Sequence, residues 1–376
     1  MRKFLLVIVV ILVVWVVWIR IGRHAEWTEP VTALDVKEIV YTDSICQRNV
    51  VGIQPYMLTS DYLSQRHFYE KLKAYFEESK QAGYFNKNTV MLLPEYLGTW
   101  LVINDEKSSV AKAKTVTGAM AIMVLSNPIK FIQSWLQHQN ESDQVAASIF
   151  RMKGESMAGI YGDTFKELAK RYQVTINSGS IVLPGPSIAN NEIRIDSSQP
   201  LYNTSFIFYP TGEIDQHVIR KSFPINSEIP FVTAYPIDEL PVFDLSIGKT
   251  AVLVCADSWY PESYDRINHL NAEVILVNSY CAGNNTMAAA WKGYDGIRMP
   301  DDVDSTDVQK IKELEAWVKY ALPGRIKKTN ATIGVNVFLH GELWDLGTDG
   351  QPFFIKDGEL LKTGNSSRAG IWNMCF

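Results

Sequence analysis

The chain has 376 residues, enough for one large α/β domain or two small ones, and its 47% hydrophobic and 20% charged content excludes a disordered polymer. Its net charge of −5, with no Lys/Arg block beyond the first few residues, excludes a nucleic-acid-binding surface. Four cysteines (Cys46, Cys255, Cys281, Cys375) form no C-x-x-C pair and no dense framework, which argues against structural zinc and against a disulfide scaffold, and leaves at least one thiol free to react.

Residues 1–23 read as a signal anchor. Phe4 to Ile19 is an unbroken apolar run between Arg2-Lys3 and Arg20. As a helix it covers about 24 Å of a ~30 Å hydrocarbon core, and Ile21 extends it while Arg20 snorkels its charge outward. Arg23 stands where a cleavage before Glu26 would need a small residue, so an uncleaved single-pass membrane segment is favoured over a removed signal peptide. The short basic tail predicts that it stays inside and that the rest of the chain lies on the extracytoplasmic side.

Residues 24–48, polar with Pro30, read as a linker, and one α/β domain is expected over 49–376. Asn49–Gln54 predicts a strand, Asp61–Gln81 an amphipathic helix, and Thr89–Leu93 a short apolar strand, the rhythm of a sheet covered by helices. The rhythm continues with a helix over Thr164–Tyr172 and strands at Ser180–Leu183, Thr204–Tyr209 and His217–Lys221. Then follow strand Thr250–Cys255, helix Pro261–Leu270, strand Glu273–Asn278, helix Val308–Tyr320 and strand Ala331–Phe338. Two stretches interrupt it. One is an insertion at about 100–161, whose apolar piece Gly118–Leu136 is broken by Pro128; the other is the Asn/Gly/Asp-rich Asn284–Thr306, read as a surface excursion. The apolar piece is expected to lie over the active-site mouth and to touch a lipid surface.

Three motifs carry chemistry. MLLPEYLG delivers Glu95 to the C-terminal edge of an apolar strand, where partial burial would raise its pKa and make it a usable base. In IRKSFPINSE, Lys221 ends a strand where it can donate to a developing oxyanion, with Glu228 seven residues on to hold its ammonium. In TAVLVCADSWYPESY, a strand leads to Cys255 at a strand-to-helix turn, which exposes the thiol, and the Ala256 N–H is placed to donate to an oxyanion. Each has a plainer reading by itself: a solvated strand-end Glu, a surface Arg220-Lys221 pair, a buried structural cysteine.

In this order and in these strand contexts the three motifs resemble the Glu–Lys–Cys signature of the carbon–nitrogen hydrolase (nitrilase) superfamily. The resemblance rests on PE at Glu95, RK followed by Pro and Glu at Lys221, C-x-D-x-x-x-P-E at Cys255, and the later ALPGRIKKTNATIGVN. It implies an α-β-β-α four-layer sandwich and an acyl-thioester mechanism on a small or amphiphilic amide or nitrile. Glu95 would act as base, Cys255 as nucleophile, and Lys221 with the Ala256 N–H as oxyanion donors. Asp257 and Pro261-Glu262 look more like the amidase branches; the Lys-to-Glu spacing also resembles true nitrilases. The alternative within the superfamily is an N-acyltransferase of the apolipoprotein type, whose thioester is resolved by an amine. A homodimer is compatible with the resemblance, although LWDLGTDGQPF departs from the usual Gly-x-Ser stretch. A Cys–His hydrolase using His217 is the competing class. No metal-ligand spacing and no phosphate loop stand out, so neither a metal nor a nucleotide cofactor is expected.

Overall fold

The computed structural model describes residues 2–23, 26–43, 45–137 and 140–376. A first sheet takes strands β1 (Leu34–Thr42), β2 (Asn49–Gln54), β3 (Thr89–Leu92), β4 (Thr175–Pro184), β5 (Leu201–Phe208) and β6 (Ile219–Arg220). A second takes β7 (Val242–Leu245), β8 (Gly248–Val254), β9 (Val274–Ser279), β10 (Ile333–Phe338), β11 (Phe353–Lys356) and β12 (Glu359–Leu360); the chain then re-enters the first with β13 (Ala369–Cys375). Strand order is β1-β13-β2-β3-β4-β5-β6 in one sheet and β7-β8-β9-β10-β11-β12 in the other. The strands that lead to Glu95 and Cys255, β3 and β8, run parallel to their neighbours β2, β4 and β9.

Side-chain alternation along these strands builds the layers. Val50, Val90, Leu92, Val252 and Val254 meet between the two sheets, together with Val335, Val337, Phe354 and Trp372. Their strand neighbours point outward: Val51, Ile53 and Met91 pack under Phe68, Leu72, Phe165 and Leu168, while Ala251, Leu253, Ile275 and Val277 pack under Tyr264, Ile267, Trp317 and Leu322. Helices α1 (Arg2–Arg20), α2 (Gln65–Gln81), α3 (Val116–Ser126), α4 (Pro128–Gln137), α5 (Gln144–Tyr172), α6 (Pro261–His269) and α7 (Glu313–Tyr320) complete the chain's main elements. Thus α2 and α5 cover one sheet and α6 and α7 the other, giving an α-β-β-α sandwich.

Three expectations need correction. The stretch 24–48 is not simply a linker: β1 lies inside it, parallel to β13 at the edge of the first sheet. Its side chains alternate between half-buried and exposed. The cysteine spacing, which argues against a disulfide scaffold, does not reveal the one bridge present: Cys46 and Cys375 form a disulfide across 329 positions, tying the β1–β2 connection to the C-terminus. The loop 284–306 is not purely superficial, since Trp291 is 1% exposed and hydrogen-bonded through its backbone to Gln309 and Ile311.

Helix α1 is long and apolar enough to cross a membrane from Lys3 to Arg20, none of it buried, a property shared with signal sequences. Its C-terminal end is fastened to the domain. Ser108 N donates to Gly22 O (2.9 Å), and the Arg23 guanidinium donates to Asp105 O (2.9 Å), Ser126 O (2.8 Å) and Asn127 Oδ1 (3.1 Å).

Candidate active site

Glu95 is set by a bulge in β4. Pairing of β4 with β5 shifts register between Asn177 and Ser180, and Gly179 in the bulge has φ +74°. A Cβ there would lie 2.2 Å from Pro94 O, so the glycine is what lets the chain before Glu95 come this close. Ser180 N donates to Pro94 O (3.2 Å), Ser180 Oγ accepts from Tyr96 N (2.9 Å), and Ser180 O accepts from Gly98 N (2.8 Å). Asn278 adds its side-chain amide to Leu93 O and Asn177 Oδ1.

Cys255 closes β8 and opens a 3₁₀ turn, Cys255–Trp259. Its φ of +47° is unusual for a residue with a side chain and marks a sharp, strained elbow. Asp257 staples this elbow to the Lys221 segment. One carboxylate oxygen accepts from Ser222 N (2.9 Å) and Phe223 N (2.8 Å), the other from Val254 N (3.2 Å). Lys221 itself follows β6, its N–H donating to Asn203 O on β5 (2.9 Å).

These placements converge. Lys221 Nζ lies 2.8 Å from Glu95 Oε1 and 2.6 Å from Glu228 Oε2, with all three side chains at most 2% exposed. Asn203 Nδ2 donates to Glu95 Oε1 and to Glu228 Oε1, both at 2.9 Å. Glu228 also accepts from Tyr96 OH (2.5 Å) and Ile225 N (3.0 Å). The Cys255 thiol and the Glu95 carboxyl act on one another electrostatically, and the thiol Sγ lies 3.5 Å from Tyr280 O.

The electrostatics follow from burial first and charge second. Burial raises Glu95 to about 7, with Lys221 pulling down and the negative charge of Glu228 pushing up. Burial also acts against Glu228, but Lys221, Tyr96 and the Ile225 N–H hold it below the ordinary carboxylate range. Desolvation opposes charge on Lys221 as well, and the two carboxylates overcome it, keeping the ammonium protonated. Burial and the nearby Glu95 push the Cys255 thiol well up, so it rests protonated. Burial takes Asp257 to about 7 against Lys221 and its three N–H donors. A resting thiol beside a carboxyl poised near neutrality is an arrangement that can move one proton from sulfur to oxygen.

Cys255 and Ala256 face a cavity of about 720 Å³ walled by Trp259, Tyr260, Tyr280 and Trp291. Ala256 sits in the first turn of the 3₁₀ helix, where backbone N–H groups lack an intrahelical acceptor. The segment Gly118–Leu136, expected over the mouth, contributes nothing to the cavity wall. It does form two helices separated at Pro128, as its sequence suggests. His217 is exposed, pairs with Asp215 (2.9 Å), and does not line the cavity that Cys255 faces. Sequence reading missed Asn203, Tyr96 and the stapling by Asp257. The signal for Asn203 was an asparagine adjoining an apolar strand, too common to single out.

The carbon-nitrogen hydrolase family profile matches residues 50–293, well over half of the chain. No curated protein matches the sequence. Among solved structures, an active-site mutant of the Nesterenkonia AN1 amidase of the nitrilase superfamily aligns with TM-score 0.52 and 13% identity, over 89% of this chain and 92% of that one. The same amidase carrying the acetamide moiety of fluoroacetamide on its active-site cysteine gives 0.52 at 13% identity, over 89% and 92%. A double mutant in complex with acrylamide gives 0.51 at 13%, over the same shares. At such identity the likeness establishes the fold. Profile and fold agree, and the chain belongs to the carbon-nitrogen hydrolase family.

Proposed function

We propose that this protein is a membrane-anchored hydrolase of non-peptide carbon–nitrogen bonds, amides before nitriles, acting through a thioester on Cys255. The observation that carries this reading is the buried Glu95–Lys221–Glu228 cluster behind a cavity-facing thiol. Glu95 accepts the Cys255 proton as sulfur attacks the carbonyl carbon. Lys221 Nζ and the Ala256 N–H hold the resulting oxyanion. The C–N bond breaks as Glu95 returns the proton to the departing amine, leaving an acyl-thioester. Glu95 then takes a proton from water, hydroxide adds to the thioester, and the carbon–sulfur bond breaks to release the acid and regenerate the thiol. Glu228 and Asn203 position Lys221 and Glu95 without touching the reacting atoms.

Helix α1 would hold the domain at a membrane. The Cys46–Cys375 disulfide favours the extracytoplasmic side, since disulfides persist in oxidising compartments. The lipid-ready α1 supports a second reading, transfer of the acyl group to an amine in place of water. Product analysis separates the two. With an amide substrate and an added primary amine, hydrolysis yields free acid with or without the amine. A product that appears only when the amine is present, with no acid formed, rejects the hydrolase reading.

A further inference from the structure

Helices α3 and α4 pack Ala119, Met123 and Phe131 toward the core yet leave further apolar side chains outside. Soluble surface helices bury their apolar stripe and expose their polar one. Here Ser126 and Ser134 are 2% and 5% exposed, and the Ser134 hydroxyl has no hydrogen-bond partner. Leu125 (55%), Ile129 (72%), Ile132 (55%) and Leu136 (67%) face outward instead. Within α4 the spacing of Ile129, Ile132 and Leu136, i, i+3, i+7, puts them on one side of the helix, and Leu125 is exposed at the end of α3. From Val116 to Gln137 one side chain is charged, Lys130. Among the described residues nothing covers these side chains.

The stripe begins where α1 leaves the domain. Arg23 donates to Ser126 O and Asn127 Oδ1, the joint between α3 and α4, and lies 3.4 Å from the buried Glu106 carboxylate. Lys107 Nζ donates to Trp18 O and Ile21 O and sits 4.5 Å from the Trp18 ring centre. The exit of α1 is therefore clamped to this corner. At its other end the stripe approaches the cavity rim. Asp143 N and Ser142 Oγ donate to Pro230 O, beside Ile229, which is 47% exposed, and Glu228 N and Ile229 N donate to Ile225 O, a residue of the Cys255 cavity.

We infer that the α3–α4 face rests on the bilayer surface beside α1, its occupant being lipid acyl chains, and that this brings the rim of the Cys255 cavity to the membrane interface. The inference rests on the reading of α1 as a membrane anchor. A helix clamped at the point where an anchor meets the domain cannot avoid the interface, and an uncharged apolar stripe there is removed from water by the lipid. It also assigns an amphiphilic substrate, presented from the membrane.

The test uses the full chain, with Cys255→Ala and Cys281→Ala so that an added thiol is labelled alone, reconstituted in phosphatidylcholine vesicles. A fluorophore is placed at Ile129→Cys, at Ile132→Cys, and at Glu359→Cys, which the β11–β12 turn sets at the end of the second sheet where β10 begins. Dibromo-phosphatidylcholine is expected to quench the labels at 129 and 132 about twofold or more and to leave 359 unchanged, with aqueous iodide giving the reverse order. Labels at 129 and 132 that iodide quenches freely and bromolipid does not would overturn the docking. Labels shielded from both would overturn it in favour of a second copy of the chain. Flotation of the same vesicles after alkaline washing reads the anchor separately: protein left behind overturns the anchor, and the docking with it.

Discussion

Replacing Glu228 by Gln probes the site through a residue that touches no reacting atom. Glu228 and Glu95 each contact Lys221 Nζ, at 2.6 and 2.8 Å, so their nearest oxygens lie within about 5.5 Å of one another. Two like charges at that separation repel by about 3 kcal/mol at an effective dielectric of about 20, equivalent to about two pKa units on Glu95. Glu228 is indeed one of the groups raising Glu95 to about 7. Below that value Glu95 is protonated and cannot accept the Cys255 proton; above it the carboxylate is available. In the parent protein, alkylation of Cys255 by iodoacetamide, followed by mass spectrometry, should therefore rise with pH through about 7. In Glu228→Gln the rise should move to lower pH by about one to two units. The plateau rate should also fall, by about tenfold or more, because the weaker base extracts the thiol proton less readily. An acid limb that stays in place, or that moves to higher pH, would refute the like-charge coupling of Glu228 to Glu95. A purely structural loss would lower the amplitude without moving the limb.

Lys221→Met should lower turnover by about a hundredfold or more through loss of an oxyanion donor, while kcat falls more than KM rises. Steady-state kinetics on any accepted amide checks this. Gly179→Ala places a methyl 2.2 Å from Pro94 O at φ +74°, so it should cost about 1–3 kcal/mol in denaturant unfolding and slow Cys255 alkylation by displacing Glu95. Cys46→Ser should leave Cys255 alkylation within about twofold while reducing stability by about 3 kcal/mol, and reduction of the parent's disulfide should reproduce that loss. An unchanged melting temperature in both would mean the bridge contributes nothing.

How much of this was legible in the sequence depends on how local each feature is. β2, β3 and β8 are short, largely apolar runs, the last two leading to Glu95 and Cys255, and their bounds are close to those expected from Asn49–Gln54, Thr89–Leu93 and Thr250–Cys255. Glu95, Lys221, Glu228 and Cys255 each stood out through their motifs, and the structure draws them into one cluster. Asn203 did not, because its importance comes from the pairing of β4 with β5 and of β5 with β6, which no local pattern encodes. Asp257 was visible as part of C-x-D, but its three backbone donors come from two chain segments. β1 was missed because an edge strand with half-exposed alternation resembles a polar linker. The Cys46–Cys375 bridge joins opposite ends of the chain, a proximity created when β1 and β13 pair. The apolar piece at Gly118–Leu136 drew notice by composition, yet only its exposed stripe shows which way it faces.

The proposed mechanism requires Cys255 to form the acyl bond. Intact-protein and peptide mass spectrometry of the full chain, quenched in acid during turnover of a panel of amides and nitriles, reads it most directly. An acyl adduct is expected on Cys255, removed by hydroxylamine, absent in Cys255→Ala and greatly reduced in Glu95→Gln. An adduct on another residue, or turnover that persists in Cys255→Ala, would contradict it.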